Sequence, residues 1–361
     1  MRLPDGRQAV ASIEDVARAT GVSTATVSRA LRGLSSVAEP TRMRVQESAV
    51  RLGYVPSSVA ASLATGRTKA IGLVTPHVAK WFFSTAIETV EAILRTHGYD
   101  VLLIIMPPGQ RATPGPMAGV PPWRPQLETE LLRKRVDATI ILSLPMVADE
   151  VALLHDLGQE LVGIGPSVPG LPIMGIDDVE VGVTATQHLL DLGHTRLRFV
   201  GHNAEEVDWT PPQERYRGFT TALRRAGLTE AAPPLGSDLT VAEGRRAARA
   251  VLADNDLPTG LVCCSDEVAM GVLYELRRAG VAVPAQISVI GVDDHPHAEL
   301  HDLTTVAQCV DEQAEAAVRW LLAGLGTPGI PPRPLAAVPA DGVLEYFPTH
   351  LIVRNTTSTP P

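Results

Sequence analysis

Residues 12–32 read SIEDVARATGVSTATVSRALR, and two short helices are predicted within them. Ser12, followed three residues later by Asp15, is typical of a helix start, because the hydroxyl accepts from an early backbone N–H while the carboxylate lies in the first turn. Gly21 is placed to end this helix, since glycine takes the left-handed conformation without a Cβ penalty. Ser23 is the expected N-cap of the second helix. Together these features form the helix-turn-helix pattern.

The second helix has one apolar face, formed by Val27, Ala30 and Leu31. Thr24 and Ala25 lie on the other face, and their small side chains favour methyl and water-mediated contacts with DNA bases over bidentate hydrogen bonds. The expected DNA-contacting residues of the stretch are Ser12, Ser23, Thr24, Ala25, Thr26, Ser28, Arg29 and Arg32. For the bare pattern, the alternative is a helical hairpin in an unrelated core.

A third helix is predicted from Thr41, its expected cap, to Leu52. Val45, Ala49 and Leu52 share one face of this helix, and the next residue is glycine. Residues 57–64 favour one further turn or two, which would be marginal alone because they lack a long apolar face.

Two strings in this region have a specific spacing. Asp15 to Leu31 follow D-V-A-x-x-x-G-V-S-x-x-T-V-S-R-x-L, and Leu52 to Pro56 follow L-G-Y-x-P. The chain thereby resembles the lactose repressor (LacI/GalR) family of bacterial transcription regulators. The resemblance continues to about Thr356 through further motifs, among them LGH at 192–194, ERYRGF at 214–219, SDEVAMG at 265–271 and LTTV at 303–306.

The resemblance implies an N-terminal all-α helix-turn-helix headpiece with a hinge helix, then a C-terminal α/β domain of two periplasmic-binding-protein-like lobes. The predicted boundaries are 1–56 for the headpiece, 57–69 for the hinge helix and linker, and 70–361 for the effector-binding and dimerisation domain. Lobe 1 is expected at about 70–176 and 297–328, and lobe 2 at about 177–296 and 329–356. Three chain crossings would connect the lobes.

The resemblance also assigns roles around the hinge. The hinge residues Ser57, Ala60 and Leu63 are expected in the minor groove, with the leucine wedged into a central base step. Tyr54 is expected on a phosphate. Ser57 replaces an asparagine that is frequent in the family, which predicts weaker capping of the hinge helix.

Apolar runs alternate with amphipathic segments from Ala70 onward, which predicts parallel sheets covered on both faces. The expected strands are 71–74, 101–105, 138–142, 161–164, 197–200, 260–264 and 288–291, and the expected helices are 84–96, 126–135, 151–157, 181–192, 216–226, 241–252 and 268–279. The Pro/Gly-rich segment 107–125 interrupts this alternation as a surface loop.

Ligands of such sheets bind at the carboxyl ends of strands, so the cleft between the lobes is the expected effector site. Trp81, Phe82 and Phe83 follow the first strand and could form a stacking wall, although for any single one of them the core of the next helix is the favoured alternative, which would take two of the three. Arg215 suits a bidentate contact, with a surface ion pair as the alternative. Asp293 ends a strand and would accept from ligand hydroxyls.

By resemblance, Trp209, Leu239 and Ser265 complete the set of effector residues. Many sugar-binding members of the family have asparagine in place of Ser265 and an aspartate near Gly165, so this chain departs from the usual hexose site at two positions.

Charge and composition agree with this organisation. Residues 1–70 contain ten Lys or Arg and five acidic residues, whereas the remainder contains 21 and 35. A basic N-terminal region on an acidic body suits a polyanionic partner. The three cysteines have no metal or disulfide spacing, and no cofactor is implied. No leader or apolar run of transmembrane length is evident, so a bacterial cytoplasmic protein, associated with the nucleoid when bound to DNA, is expected.

The sequence therefore predicts a DNA-binding transcriptional regulator, most simply a repressor, whose operator affinity is set by a small polar effector such as a sugar. The expected partners are pseudo-palindromic double-stranded DNA, the effector and a second copy in a homodimer or tetramer, with no membrane. The alternative is a cytoplasmic small-molecule sensor whose headpiece no longer binds DNA. An enzyme is not expected, because the sequence contains no G-x-S-x-G elbow, P-loop or H-E-x-x-H motif.

Overall fold

The structure is a computed structural model that describes residues 11–55, 66–106 and 127–361, with gaps at 128, 130–132, 134, 145, 157, 159, 202–209, 237–238, 255 and 334–337. The chain divides into two compact units, Met1–Thr68 and Lys69–Pro361. The hinge residues Ser57, Ala60 and Leu63 and the segment 107–125 lie outside the described residues, as does most of the helix predicted at 126–135.

The first unit contains α1 (Ile13–Thr20), α2 (Thr24–Leu31) and α3 (Glu39–Leu52). The predicted start of α1 is confirmed as a capping box, in which Asp15 N donates to Ser12 Oγ at 3.3 Å and Ser12 N donates to Asp15 Oδ2 at 3.0 Å. Gly21 ends the helix with a φ of 68°. The Thr26 N–H donates to Ser23 Oγ at 3.2 Å, so the predicted second cap is also confirmed.

Two expectations for α3 were wrong. The helix begins at Glu39 rather than Thr41, with Ala38 in the N-cap position and a proline in the first turn, where the missing N–H has no intrahelical partner to lose. Leu52 is 38% exposed instead of facing the core. Tyr54 packs against the core just beyond the helix end, alongside Val45 and the other buried apolar residues.

The second unit alternates helices with strands. Its helices are α4 (Trp81–Thr96), α5 (Ala148–Asp156), α6 (Asp178–Asp191), α7 (Pro211–Arg225), α8 (Val241–Ala253), α9 (Asp266–Arg278) and α10 (Val310–Gly324). Its strands are β1 (Ala70–Thr75), β2 (Asp100–Ile105), β3 (Ala138–Leu142), β4 (Glu160–Ile164), β5 (Ile173–Gly175), β6 (Leu197–Val200), β7 (Gly260–Cys263), β8 (Ser288–Asp293), β9 (Thr304–Ala307), β10 (Val343–Tyr346) and β11 (His350–Ile352). The short strand β5 was not predicted from the sequence.

The strands form two sheets, which define the two lobes. The lobe 1 sheet has the order β10-β5-β4-β3-β1-β2, and the lobe 2 sheet has the order β11-β9-β8-β7-β6. Neighbouring strands run parallel, except that β11 pairs antiparallel with β9. The predicted two-lobed parallel architecture is therefore confirmed, with α10 packed in the core of lobe 1.

The predicted lobe boundaries were wrong at two strands. β9 was placed in lobe 1 within 297–328, but it pairs with β8 of lobe 2. β10 was placed in lobe 2 within 329–356, but it pairs with β5 of lobe 1. The chain therefore passes between the sheets after β5, after β9 and after β10. Local pattern did not reveal these pairings, because a short apolar strand has the same sequence pattern in either sheet.

No helix in the described part of the chain is long and apolar enough to span a membrane.

Candidate nucleic-acid interface and effector cleft

The exposed face of α2 is the candidate DNA-reading surface. Thr24, Ala25 and Arg29 are exposed, as is Arg32 just after the helix, whereas Val27 is fully buried. The predicted division of this helix into an inward and an outward face is thus confirmed. Thr26 and Ser28 are half-buried at the border between the two faces.

Some predicted contact residues also build the headpiece itself. Ser12 belongs to the capping box, and Ser23 Oγ lies 3.0 Å from Thr26 Oγ1. Arg32 Nε donates to the Ser28 carbonyl oxygen at 3.2 Å, which places the guanidinium over the end of α2. These side chains therefore stabilise the helix ends in the absence of DNA.

Electrostatics distinguish α2 from α1. The first turn of α1 carries Glu14 and Asp15, whereas the first turn of α2 reads Thr24-Ala25-Thr26-Val27, without an acidic side chain. The N-terminus of α2 consequently keeps the positive end of its dipole and its free N–H groups, which favours an approaching phosphate or base edge. Tyr54 is half-buried, and burial, followed by the charge of Glu14, raises its pKa.

The aromatic residues at the start of α4 divide between two roles. Phe83 is buried in the core of lobe 1, which matches the alternative interpretation of this residue. Phe82 and Trp81 are only half-buried. The ring centroid of Phe83 lies 5.2 Å from that of Phe82 and 5.3 Å from that of His77, and both pairs meet edge to face. Trp81 and Phe82 therefore keep partly exposed rings just after β1, and their role as a stacking wall for a ligand stays a prediction.

Arg215 of α7 lies in a buried cluster of polar side chains. Its Nε donates to Asp178 Oδ1 at 2.8 Å, its Nη1 donates to the Cys264 carbonyl oxygen at 2.6 Å, and Nη1 lies 3.8 Å from Asp293 Oδ1. Arg215, Asp178 and Asp293 are each only 6% exposed. The alternative of a surface ion pair is wrong, because this guanidinium is held within lobe 2.

Close packing of α6 against α7 positions this ion pair. A Cβ on Gly218 of α7 would overlap the Val179 carbonyl oxygen, and one on Gly182 of α6 would overlap the carbonyl oxygen of Arg215. The two helices approach so closely only because both positions lack a side chain, and this approach brings the arginine to Asp178.

Asp293 ends β8 in a strained conformation, with a φ of 133°. Such outliers cost of order 1–3 kcal/mol and cluster at binding sites. Its carboxylate accepts a hydrogen bond from Gln308 Nε2, on the segment after β9. Burial raises the pKa of Asp293 to about 7, despite the opposing charge of Arg215. The carboxylate is therefore poised to respond to a donor or cation placed beside it.

A second buried carboxylate lies near Asp293. Asp266, at the start of α9, accepts from His295 N at 2.9 Å and from Thr305 Oγ1 at 2.8 Å. Burial and the charge of Asp293 raise its pKa. Its neighbour Ser265 caps α9, with Oγ accepting from Val268 N at 3.4 Å.

The structure adds Asp178, Asp266 and Gln308 to the residues predicted for this site. Asp177, the residue before Asp178, caps α6 by accepting from Glu180 N at 3.0 Å. Asp178 instead pairs with the arginine. Gln308 was missed, although its position just after a strand was a usable signal.

Two other predicted effector residues are less informative. Leu239 packs partly buried against the core of lobe 2, with a φ of 58°. Trp209 lies outside the described residues. Within the described part of the chain, no group of three or more His, Cys, Asp or Glu side chains has the geometry to hold a metal ion. Cys263 and Cys264 are buried.

Both units of the chain match known protein families. Residues 12–57 match the family model described as bacterial regulatory proteins, lacI family, and residues 186–357 match the periplasmic binding protein-like domain. The transcriptional repressor PurR of Pasteurella multocida is 30% identical over 323 residues, covering 86% of this chain and 91% of that protein. The transcriptional regulator RegA of Clostridium saccharobutylicum is 30% identical over 321 residues, with the same two coverages.

Solved structures give the same fold. The lac repressor dimer bound to operator and the anti-inducer ONPF matches with a TM-score of 0.79 at 22% identity, over 97% of this chain and all of that one. The complex of the regulator CelR with cellobiose matches with a TM-score of 0.62 at 27% identity, over 96% and 99%. The helix-turn-helix matches the family model, and relatives at 30% identity match over most of the chain. The chain therefore belongs to the LacI family of bacterial transcriptional regulators.

Proposed function

We propose that this regulator is a homodimeric repressor that binds pseudo-palindromic operator DNA through α2 and releases or retains it according to a small polar effector in the inter-lobe cleft. The observation that supports this most strongly is the exposed face of α2, with Thr24, Ala25 and Arg29 beside a helix N-terminus that no acidic side chain neutralises. A relative, PurR, is named a repressor.

The DNA-contacting residues have distinct proposed roles. Thr24, Ala25 and Ser28 face base edges, where small side chains read methyl groups and bound water. Arg29, Arg32 and Tyr54 contact phosphates and set the position of the headpiece along the DNA. Ser12, Ser23 and Thr26 contribute DNA contacts from the capped starts of α1 and α2. In the hinge, Ser57, Ala60 and Leu63 remain predicted minor-groove contacts.

Weak direct readout has a consequence for assembly. With a single headpiece relying on small side chains, much of the specificity would come from two half-sites and from DNA shape, which requires a second copy of the chain. The lac repressor structure that shares this fold is a dimer bound to operator. A homodimer, or a tetramer built from it, is therefore the proposed assembly.

The proposed effector is a compact molecule rich in hydrogen-bond donors. Asp293 offers a buried carboxylate whose partner Arg215 lies 3.8 Å away, and Phe82 offers a flat apolar surface, which together suit a sugar or a related metabolite. The related regulator CelR was solved with cellobiose. Closing or opening the cleft would change the spacing of the two hinges and so the affinity for DNA.

We place its action in the bacterial cytoplasm, at the nucleoid when it is bound to DNA, because that is where an operator-binding protein meets its partner. The role proposed is regulation without catalysis, in keeping with relatives that are named as regulators.

A gel-shift titration of the full chain against the DNA upstream of its own gene tests the DNA-binding role. The parent should bind one fragment tightly, Arg29→Ala should bind all fragments more weakly, and the control Arg95→Ala, which alters an exposed arginine of lobe 1, should match the parent. Equal binding to every fragment, or equal binding by Arg29→Ala, would argue against the proposal. Native mass spectrometry of the freshly purified protein would identify a co-purified effector.

A further inference from the structure

The second crossing between the lobes leads from the candidate effector carboxylate directly into lobe 1. The segment after β9 carries Gln308 and Cys309 and then enters α10, which packs in the core of lobe 1. Gln308 is only 3% exposed, and its Nε2 donates a hydrogen bond to Asp293 Oδ1 at the end of β8. A residue of the crossing segment is therefore bonded to the candidate effector site.

A second buried glutamine holds the backbone of the same residue. Gln313 of α10 is 1% exposed, and its Nε2 donates to the Gln308 carbonyl oxygen at 2.5 Å. Its backbone N–H donates to the Cys309 carbonyl oxygen at 3.4 Å. Cys309 has a φ of 51°, a conformation that residues with a side chain rarely adopt. Gln313 thus stabilises a strained turn with both its backbone and its side-chain amide.

Packing alone does not explain a glutamine at position 313. The other buried residues of α10 are all apolar, and an apolar side chain of similar length would fill the same space. A buried amide without partners costs free energy, whereas here its N–H group is bonded to the crossing segment. The polar character of Gln313 therefore belongs to its contact with Gln308.

The contact from Gln308 is the closer of two that orient the Asp293 carboxylate. Arg215 Nη1 lies 3.8 Å from Asp293 Oδ1, which is beyond hydrogen-bond distance, and the same Nη1 donates to the Cys264 carbonyl oxygen at 2.6 Å. The guanidinium is therefore committed elsewhere in lobe 2. The direct hydrogen bond to the Asp293 side chain comes from the crossing segment.

The charged groups that face Asp293 come from α7 and α9. Burial raises the pKa of Asp293 to about 7, Arg215 of α7 and the Gln308 N–H oppose this rise, and the charge of Glu267 of α9 adds to it. Asp266, also of α9, has a pKa that is raised by burial and by the charge of Asp293. Loss of the Gln308 donor would consequently weaken the ionised form of Asp293.

On the lobe 1 side, α10 is bonded to α4. Asp311 in the first turn of α10 accepts a hydrogen bond from Thr89 Oγ1 of α4, and both helices contribute to the same core. The helix α4 also carries Phe82, a candidate effector residue. A displacement of α10 would therefore be shared with α4.

The first and third crossings are joined to each other by different contacts. Phe347, just after β10, donates its backbone N–H to the Gly175 carbonyl oxygen at the end of β5 at 2.8 Å. The Phe347 side chain packs against the cores of both lobes. These contacts use backbone and apolar surface, whereas the second crossing carries a buried polar path that ends on a carboxylate.

We propose that Gln308 and Gln313 form a buried glutamine relay, which positions the Asp293 carboxylate and connects it to α10 of lobe 1. Both glutamines are positioning residues, because Gln308 bonds the carboxylate and Gln313 fixes the backbone of Gln308. A ligand group that engages Asp293 then shifts the crossing segment and, through it, lobe 1. The regulatory use of the relay rests on the function proposed above, whereas the relay itself does not.

Hydrogen exchange of the full chain without added ligand tests the relay. The reporters are the backbone amides of Asp294 and His295, which donate to Thr305 Oγ1 at 3.3 Å and to Asp266 Oδ2 at 2.9 Å. Gln308→Met keeps the length of the side chain and removes the donor to the carboxylate, so both reporters should exchange about tenfold faster, as expected for a hydrogen bond to a charged group.

Gln313→Met tests whether the effect travels from lobe 1 to lobe 2. It should accelerate exchange at 310–314 about fivefold, the size expected for one neutral hydrogen bond, and at the two reporters about threefold. The double variant should match Gln308→Met at the reporters, since the path is already broken. The matched control is Gln187→Met, which alters an exposed glutamine of α6 that donates to Asp191 Oδ1 at 2.7 Å, and it should leave all of these amides unchanged.

Three exchange results would overturn the relay. Acceleration by Gln313→Met that is confined to 310–314 would reduce this residue to a local support of its own helix. Strict additivity of the two substitutions at the reporters would mean that they act independently. Equal acceleration throughout both lobes would indicate a general loss of stability.

The pH dependence of stability gives a readout that loss of packing alone would not move. Because the pKa of Asp293 is raised, the linked stability is present below the unfolded pKa and is lost as pH rises through about 7. In Gln308→Met this loss, followed as the urea midpoint, should shift upward by about one pH unit, and Asp293→Asn should abolish it. An unshifted profile in Gln308→Met would overturn the positioning of Asp293.

Operator binding tests the regulatory use separately. Asp293→Asn, which perturbs the carboxylate without a ligand, should change operator affinity at least about threefold in the parent and clearly less in a Gln313→Met background. Equal changes in both backgrounds, or no change in the parent, would overturn the regulatory use of the relay. Failure of the parent to bind any operator would overturn the proposed function and leave the exchange result standing.

Discussion

Replacement of Arg215 by methionine should destabilise lobe 2 far more than a surface arginine would. The guanidinium donates to Asp178 at 2.8 Å and to the Cys264 carbonyl oxygen at 2.6 Å, and both members of the ion pair are only 6% exposed. Removal of one partner from such a pair leaves an uncompensated buried charge and costs roughly 3–5 kcal/mol. At roughly 2–4 °C of Tm per kcal/mol, the melting transition should fall by about 6–20 °C.

The double variant Arg215→Met with Asp178→Asn should recover most of this loss. It removes both charges of the 2.8 Å pair, and a buried ion pair replaced by neutral side chains of similar size is often close to neutral in stability. Asp293, 3.8 Å from the guanidinium, has a pKa of about 7 and can take up a proton. Differential scanning calorimetry of the full chain at pH 7.5 measures both variants against the parent. A double variant as unstable as Arg215→Met, or a single variant within about 1 kcal/mol of the parent, would refute the buried-charge argument.

The stability of the single variant Arg215→Met should also depend on pH. Burial raises the pKa of Asp178, and the neighbouring Arg215 opposes that rise. Without the arginine the folded pKa climbs further above its unfolded value, so the folded state takes up a proton. Stability linked to such a group is fully present below the unfolded pKa and is lost as pH rises through the folded pKa. Arg215→Met should therefore lie closer to the parent at pH 5 than at pH 8.

Four further outcomes are expected. Arg29→Ala should lower the slope of log operator affinity against log salt by about one, measured by fluorescence anisotropy. Gly218→Ala should cost about 1–3 kcal/mol or more by calorimetry, because its Cβ would overlap the Val179 carbonyl oxygen. Gly21→Ala should lower the free energy of unfolding by only about 1 kcal/mol, seen as faster amide exchange in α1. No atom lies close to the new Cβ, and the only penalty is that alanine disfavours a φ of 68°. Burial lowers the pKa of His194, so stability should be present above about pH 6.5 and should decrease as pH falls towards the lowered value, measured as the urea midpoint.

Each of these has a contrary result. An unchanged salt slope would remove Arg29 from the DNA contacts, and a Gly218→Ala protein as stable as the parent would contradict the close approach of α6 and α7. A large loss in Gly21→Ala would mean that the turn packs against something. A His194→Gln variant with the same pH dependence as the parent would show that the titrating group lies elsewhere than the imidazole that bonds the Ser358 carbonyl oxygen at 2.8 Å.

The headpiece was the part most open to prediction. The capping box of Ser12, the glycine stop at Gly21 and the buried face of α2 each depend on residues within one or two turns of one another, so the sequence contains the whole interaction. The start of α3 was predicted wrongly because Thr41 offered a plausible cap, whereas a proline in the first turn set the boundary earlier.

The cleft was predictable only in outline. Arg215 and Asp293 were singled out from the sequence as candidates, but their contacts with Asp178 and Gln308 were not predicted. Each of these joins residues that are distant along the chain, and a carboxylate in a first turn has the same local pattern whether it caps its own helix or crosses to another.

The sequence by itself determined the helix-turn-helix with its exposed reading face and the alternation of strands and helices. It also carried the motifs that resemble the family. All of these depend on residues that lie close together along the chain. Only the tertiary structure decided that β9 pairs within lobe 2 and β10 within lobe 1, and that Arg215 is buried against Asp178. The physical reason is that strand pairing and buried charge pairs take their energy from groups brought together by the complete fold, and no local pattern specifies which distant partner each group will meet.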